Sequence, residues 1–280
     1  MMALPARIAL FVLVAAGPVL FVVAPIGAFL VMSFWRVEGS AIIPDLTLDN
    51  YAGFFGNWTY FKTFLLTLWL CAQVTLIGVL LGYPIAWFIW KRRQRIRYPL
   101  LLLFVMPLFM SYIVKIYTMR SILGLNGFLN QILVSTGILS APSLVFLYNQ
   151  TAILITMAVI FLPFVILPIF LSLERIPRSL VQASADLGAG AGTTFWRVVL
   201  PLSLPGTIAG ALFAFVLALG DFVTPQMVGG PSGFTIGRVI WSQFGLAYNW
   251  PFGAAMGAVL FVFALLVIVA AGQVAARQRI

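Results

Sequence analysis

Residues Thr63–Arg97 read TFLLTLWLCAQVTLIGVLLGYPIAWFIWKRRQRIR: twenty-eight residues without a charge, then seven of which five are basic. Inside a bilayer there is no water to satisfy backbone N–H and C=O groups, so such a run can cross only as a helix. About 20 residues suffice for a hydrocarbon core about 30 Å thick. The basic cluster at the end of the run is the kind of flank that stays on the cytoplasmic side.

Working outward, the same pattern recurs. Ile8–Trp35 holds 28 uncharged residues, Ser121–Leu173 holds 53, Val198–Gly220 holds 23 and Val239–Ala276 holds 38, while Ile96–Val114 is interrupted only by Arg97. Trimmed at Gly, Pro, Asn and Ser breakers, these runs predict six membrane spans near 8–34, 63–89, 99–119, 149–173, 204–223 and 253–275. The expected fold is an all-α integral membrane protein, a single transmembrane domain over 1–280. Residues 121–148 and 224–252 are too rich in Gly, Pro and Asn to be helical throughout and read as external loops carrying short interfacial helices. Arg7 precedes the first run as in a signal peptide. The run is much longer than the 7–15 residues of a cleavable h-region, so an uncleaved first helix is expected. Prolines 18, 25, 84, 107, 163 and 168 are expected to kink their helices.

Composition removes most enzymatic readings. The 280 residues are 63% hydrophobic and 8% charged, with no histidine and one cysteine, Cys71. Disulfides within the chain, Cys/His zinc sites and Ser-His-Asp or Cys-His machinery are therefore excluded. Only Glu174, Asp186 and Asp221 lie outside the acidic segment Glu38–Asp49, which disfavours a carboxylate pair. Lys62, Lys91 and Lys115 follow Phe, Trp and Val, so none belongs to a phosphate-binding G-x-x-x-x-G-K-[ST] loop. GAGAGT at 188–193 fails G-x-G-x-x-G at its last position. No cofactor or metal is expected on this chain. The formal charge of +10 is explained by topology and not by nucleic acid. With both termini inside, eleven basic residues fall on the cytoplasmic face: Arg7, Lys91, Arg92, Arg93, Arg95, Arg97, Arg175, Arg178, Arg197, Arg277 and Arg279. The other five, Arg36, Lys62, Lys115, Arg120 and Arg238, lie at or toward the far face.

The loop between the fourth and fifth spans, 174–200, has too much pattern to be a plain connector. Pro177 suits a helix start; Leu180, Ala183, Ser184 and Leu187 recur at helical spacing, and Gly188 suits the helix end. A helix of about eleven residues, roughly 16 Å long, is predicted, with small residues that let a partner approach its backbone. Thr193 and Thr194 are candidate N-caps beyond it, and Pro201 and Pro205 are expected to turn the chain into the fifth span.

At these residues the chain resembles the permease subunits of binding-protein-dependent ABC importers. Their cytoplasmic motif, E-A-A-x-x-x-G-x(9)-I-x-L-P, is matched in register by Gln182-Ala183-Ser184, Gly188, Val198 and Leu200-Pro201. The six spans and the segments GLNGFLNQIL, DLGAGAGTTFWRVVLPLSLPG and GDFVTPQMVGG are similar to the spermidine/putrescine-type subgroup. The resemblance implies a type I importer permease fold in a bacterial inner membrane, with both termini cytoplasmic. It also implies half of a pore built with a second permease as a heterodimer, a pair of ABC ATPase subunits carrying ATP and Mg, and an external substrate-binding protein. ATPase coupling then falls to Pro177, Leu180, Gln182, Ala183, Ser184, Asp186, Leu187, Gly188, Leu200 and Pro201. Gln182 stands where the motif has Glu, keeping length and hydrogen-bonding capacity but losing the charge available to a salt bridge with the ATPase.

Asp221, placed in the outer part of the fifth span, is a costly carboxylate that should meet a partner or a water-filled cavity. It could pair with Lys115, Arg120 or the second permease, or meet a cationic cargo. Asp221, Lys115, Tyr112 and Tyr117 are the candidate substrate pathway. Tyr112, Tyr117, Trp241, Tyr248 and Trp250 suit interfacial anchoring, with an aromatic cage for ammonium as the other reading. An ion-gradient-driven secondary transporter is the alternative function; it usually needs midplane ionisable groups, for which only Asp221 and Lys115 are available.

Overall fold

The computed structural model describes residues 14, 16–39 and 41–277. Arg7 and Arg279, both counted to the inner face, and the start of the first expected span lie outside the described residues. In chain order the helices are α1 (Ala16–Met32), α2 (Asp49–Gly56), α3 (Trp58–Lys91), α4 (Gln94–Val105), α5 (Tyr112–Leu123), α6 (Phe128–Ser135), α7 (Gln150–Glu174), α8 (Arg178–Asp186), α9 (Ala191–Gly220), α10 (Val223–Val228), α11 (Ile236–Gly245) and α12 (Trp250–Arg277). A hairpin, β1 (Arg36–Glu38) paired antiparallel with β2 (Ala41–Ile43), departs from the all-helical expectation. Each strand is only three residues long.

Among the described residues, four helices are long and apolar enough to cross a membrane: α3, α7, α9 and the Trp250–Ala275 part of α12. They correspond to the second, fourth, fifth and sixth expected spans. The first expected span appears as α1, a shorter apolar helix at the start of the described residues.

The third span, expected as one helix over 99–119, is broken instead. Helix α4 tightens into a 3-10 turn at Met106–Phe109, where Pro107 lacks the N–H needed to continue an α-helix. Met110 and Ser111 then take extended ψ angles of 145° and 138°. The two halves, Gln94–Phe109 and Tyr112–Ser135, lie at 101° to one another. Pro84, Pro163 and Pro168, by contrast, sit inside uninterrupted helices.

The chain divides into two compact units. The first comprises the described residues up to Lys62 with Val239–Val262. Here the Asn50 side-chain amide donates to the carbonyls of Ser33 and Trp35, at 2.9 and 2.7 Å, while the Ser33 and Tyr51 hydroxyls lie 2.6 Å apart. These bonds tie α2 to the end of α1. Phe29 meets Phe244 at a ring separation of 5.5 Å, and Tyr60 meets Phe252 at 5.2 Å.

The second unit, Thr63–Arg238 with Phe263 onward, is organised around α7. Its core includes Tyr83, Ala86 and Ile89 of α3, Val165, Ile166, Ile169, Phe170 and Leu173 of α7, and Val199 and Ala214 of α9. Two glycine pairs spaced four apart let the backbones approach. A methyl group added at Gly78 or Gly82 of α3 would stand 3.2 or 3.0 Å from the Val165 side chain, and one at Gly210 of α9 would stand 2.9 Å from the Val165 carbonyl oxygen. Gly206 packs just as closely on Pro168 and Ser172. Small residues at four-residue spacing are a common membrane solution, because between apolar helices close packing replaces the missing hydrophobic drive. The Tyr83 and Ser203 hydroxyls, 2.7 Å apart and buried, add a polar tie between α3 and α9.

Candidate functional site

Helix α8 is held onto the bundle by one side only. Buried Ile176 anchors the turn out of α7, Pro177 is the N-cap, and Val181 packs on the core. Ser184 and Thr194 share a hydrogen bond at 2.8 Å, joining α8 to the first turn of α9. The expectation of Pro177 inside the helix is thus off by one residue. The end is a glycine-dependent turn: Gly188 adopts φ 79°, its N–H bonds to the Ala185 carbonyl, and the Ala189 N–H reaches the Ser184 carbonyl at 3.0 Å. That is a Schellman arrangement, which L-residues with a side chain adopt at a cost.

The opposite side of α8 is uncovered. Leu180, Gln182, Ala183 and Asp186 are exposed, and Leu187 is 87% exposed. A leucine so open at the end of a nine-residue helix presents an apolar knob. Leu200 lies toward the core and Pro201 is exposed.

Thr193 and Thr194 are not N-caps. Gly190 takes that position in extended backbone, and Thr194 turns its hydroxyl to Ser184 instead. Nor do Pro201 and Pro205 turn the chain: the helix runs on through both. A π-helical turn at Phe195–Val199, in which the Leu200 N–H bonds to the Phe195 carbonyl, shifts the register just before Pro201, whose missing donor would otherwise leave a gap. Phe195 packs against Tyr83 and Trp87 at 5.8 and 5.0 Å between rings. Motion of α8 would therefore be passed to α3 and α9 by direct packing.

A second site lies where α9 ends. Asp221 is not inside the helix: α9 stops at Gly220, and Asp221 turns away at ψ 116°. Its Oδ1 accepts from the N–H groups of Val223 and Thr224, at 3.0 and 3.1 Å, capping the first turn of α10. Its Oδ2 accepts from the Tyr112 hydroxyl at 2.5 Å, and that hydroxyl also lies 2.8 Å from Thr224 Oγ1. Asp221 is 8% exposed.

The anticipated salt bridge with Lys115 or Arg120 does not form: among the described residues no Lys or Arg nitrogen lies within 4.0 Å of Asp221. Lys115 Nζ stands 5.4 Å from the centre of the Tyr112 ring, and Arg120 donates to the Tyr148 hydroxyl at 2.7 Å. Tyr112 therefore serves the carboxylate and is stacked on Phe161, with ring centroids 6.5 Å apart. Tyr112, Phe161, Gly220 and Asp221 border a cavity of about 360 Å³ with Val216, Leu217, Phe222 and Val223. Tyr117 is 53% exposed and is not part of that lining. Phe161 and Thr224, which sequence reasoning left out, complete the site; both are uncharged residues in apolar stretches.

Arg97, counted with the basic loop, is in fact buried in the first turn of α4. It donates to the Trp90 carbonyl at 2.7 Å, and its NH1 lies 3.6 Å from Glu174, which also accepts from the Tyr98 hydroxyl at 2.6 Å. The basic connector thus shrinks to the few residues between α3 and α4.

Residues 75–280 match the family model described as "Binding-protein-dependent transport system inner membrane component". The chain is 37% identical over 251 residues to the spermidine/putrescine transport system permease protein PotB of Haemophilus influenzae, covering 89% of this chain and 87% of the relative. It is 35% identical over 245 residues to the protein of the same name in Escherichia coli K12, covering 87% and 88%. A chain in the crystal structure of a bacterial alginate ABC transporter, in complex with an alginate pentasaccharide-bound periplasmic protein, superposes with TM-score 0.77 at 17% identity over 97% of this chain and 94% of that one.

Proposed function

This chain belongs to the family of binding-protein-dependent transport system inner membrane components and is a permease subunit of an ABC importer, and from that membership we propose that it forms one half of a polyamine translocation pathway. The reading rests on one observation above others: the identity to polyamine permeases extends over 89% of the chain. The gradient-driven alternative finds no support among its relatives.

Both termini and the α3–α4 connector face the cytoplasm in this reading. The other half of the pathway is a second, different permease chain, and two ATPase chains bind ATP and Mg beneath the pair. Segment 174–200, within one permease domain, is the coupling loop. In the resting state the cavity opens inward. A loaded external binding protein and ATP together favour closure of the ATPase pair; the exposed side of α8 carries that motion through Phe195 into α3 and α9, and the cavity opens outward. Coupling requires each ligand to bind the two states with different affinity.

Asp221 supplies the negative charge for a cationic cargo, with Tyr112 and Phe161 as aromatic walls. Asp221→Asn tests this directly, because Asn Oδ1 still caps α10 while the charge is removed. Spermidine uptake is expected to fall on the order of tenfold or more with unchanged protein level, the scale of one lost charge-assisted contact. Unaltered uptake would assign the carboxylate to structure alone.

The whole reading is tested by purifying the tagged chain from its native membranes in mild detergent and identifying its companions by mass spectrometry. An ATPase and a second permease are expected, with vanadate-sensitive spermidine uptake in reconstituted vesicles. A chain that purifies alone, with uptake abolished by an uncoupler at constant ATP, would overturn it.

A further inference from the structure

The end of α3, the start of α4 and the first turn of α8 enclose a cleft of about 320 Å³ lined by Trp90, Lys91, Arg97, Arg178, Val181 and Gln182. Three of the six side chains are cationic and none is acidic. Glu174, behind Arg97, is already shared between Arg97 and Tyr98. Neither Lys91 nor Arg178 forms an ion pair among the described residues. Arg97 is 7% exposed, and its Nε is buried with no hydrogen-bond partner. Beside the cleft, the Arg97 guanidinium has one ion-pair partner among the described residues, Glu174 at 3.6 Å. Helix α8 also begins here without a side-chain cap, adding the positive end of its dipole.

We infer that this cleft binds a phosphate group, supplied by the headgroup of an anionic phospholipid. The exposed Arg178 fork and Lys91 ammonium, backed by the charge of Arg97, match the several oxygens of phosphate better than the two of a carboxylate. The lipid source follows from position. Immediately beyond the cleft, α3 exposes Phe88 and α4 exposes Ile96, Leu102 and Leu103. These are surfaces suited to acyl chains, so Lys91–Arg97 sits level with the headgroups. Basic pockets between helices on the cytoplasmic side are suited to such lipids. The inference rests on the proposed orientation, and its consequence is that one lipid bridges α8 to the α3–α4 connector.

The test uses the chain with whatever co-purifies, in nanodiscs of phosphatidylcholine with or without phosphatidylglycerol, and counts retained lipid by native mass spectrometry. Wild type is expected to retain phosphatidylglycerol in preference to phosphatidylcholine. The double variant Lys91→Gln/Arg178→Gln should lower that retention on the order of tenfold. Gln182→Glu, an exposed change that adds a negative charge to the cleft, should lower it as well and decides the matter if the double variant fails to fold. Displacement of phosphatidylglycerol by inorganic phosphate with no lipid preference would keep the phosphate site and overturn the lipid source. Equal retention by wild type and both variants would overturn the site. Loss of lipid preference with an ATPase still attached leaves the importer reading standing, and a chain without ATPase that retains phosphatidylglycerol separates the two in the other direction.

Discussion

Leu187→Asp is expected to abolish ATP-driven uptake while the protein accumulates in the membrane at its normal level. Leu187 is 87% exposed, directly after α8, and contributes almost nothing to the bundle. Substitutions at such positions typically change stability by about 0.5 kcal/mol or less. In the proposed complex the same side chain is buried against an ATPase. A charge introduced there without a partner costs about 3–5 kcal/mol, enough to reduce assembly on the order of a hundredfold or more. The measurement pairs spermidine uptake with the amount of ATPase recovered on the tagged chain, and Leu187→Met should restore both. Normal uptake by Leu187→Asp would remove α8 from the coupling role.

Gly210→Leu is expected to have the opposite profile: no folded protein to assay. The added Cβ would lie 2.9 Å from the Val165 carbonyl oxygen and 3.1 Å from its Cα. Both are backbone atoms of the central helix, which no rotamer change can move. Overpacking of an ordinary core costs about 1–3 kcal/mol; against backbone the two helices must separate, exposing the Tyr83–Ser203 pair with them. Membrane levels and the melting temperature in detergent are the readouts, with Gly210→Ala giving a milder loss in the same direction. Gly27→Ala, where an added methyl group has no atom within 4 Å, provides the comparison and should melt as wild type does. A Gly210→Leu protein that melts normally would show that α7 and α9 do not need this close approach.

The two expectations differ because one residue lies where the chain ends its own packing and the other where two helix backbones approach closely. Hydropathy places Leu187 in a polar loop and Gly210 in a run of 23 uncharged residues, but it says neither that the leucine is left uncovered nor which glycine meets a neighbouring backbone. The same blindness explains the broken third span. Residues 99–119 are apolar enough to cross a membrane in any direction, and composition is silent about direction. Pro107 marked the place, but the 101° turn required Met110 and Ser111 both to leave the helical region. Arg97 was counted with the solvated loop because its four basic neighbours are all exposed there in the ordinary way; its burial depends on Trp90 and Glu174, which come to it through folding.

What the sequence by itself determined is whatever rests on local, additive physics: long apolar runs must be helices in lipid, Gly188 can end a helix at positive φ, and the motif register from Gln182 to Pro201 marks the family. What only the tertiary structure decided depends on partners distant in the chain. Asp221 is bound by a tyrosine 109 positions away, and Gly78, Gly82 and Gly210 are all read by the single residue Val165. A buried charge must be matched, but many donors can match it, and a small residue permits an approach without naming what approaches. Those choices are made by the packing of whole helices.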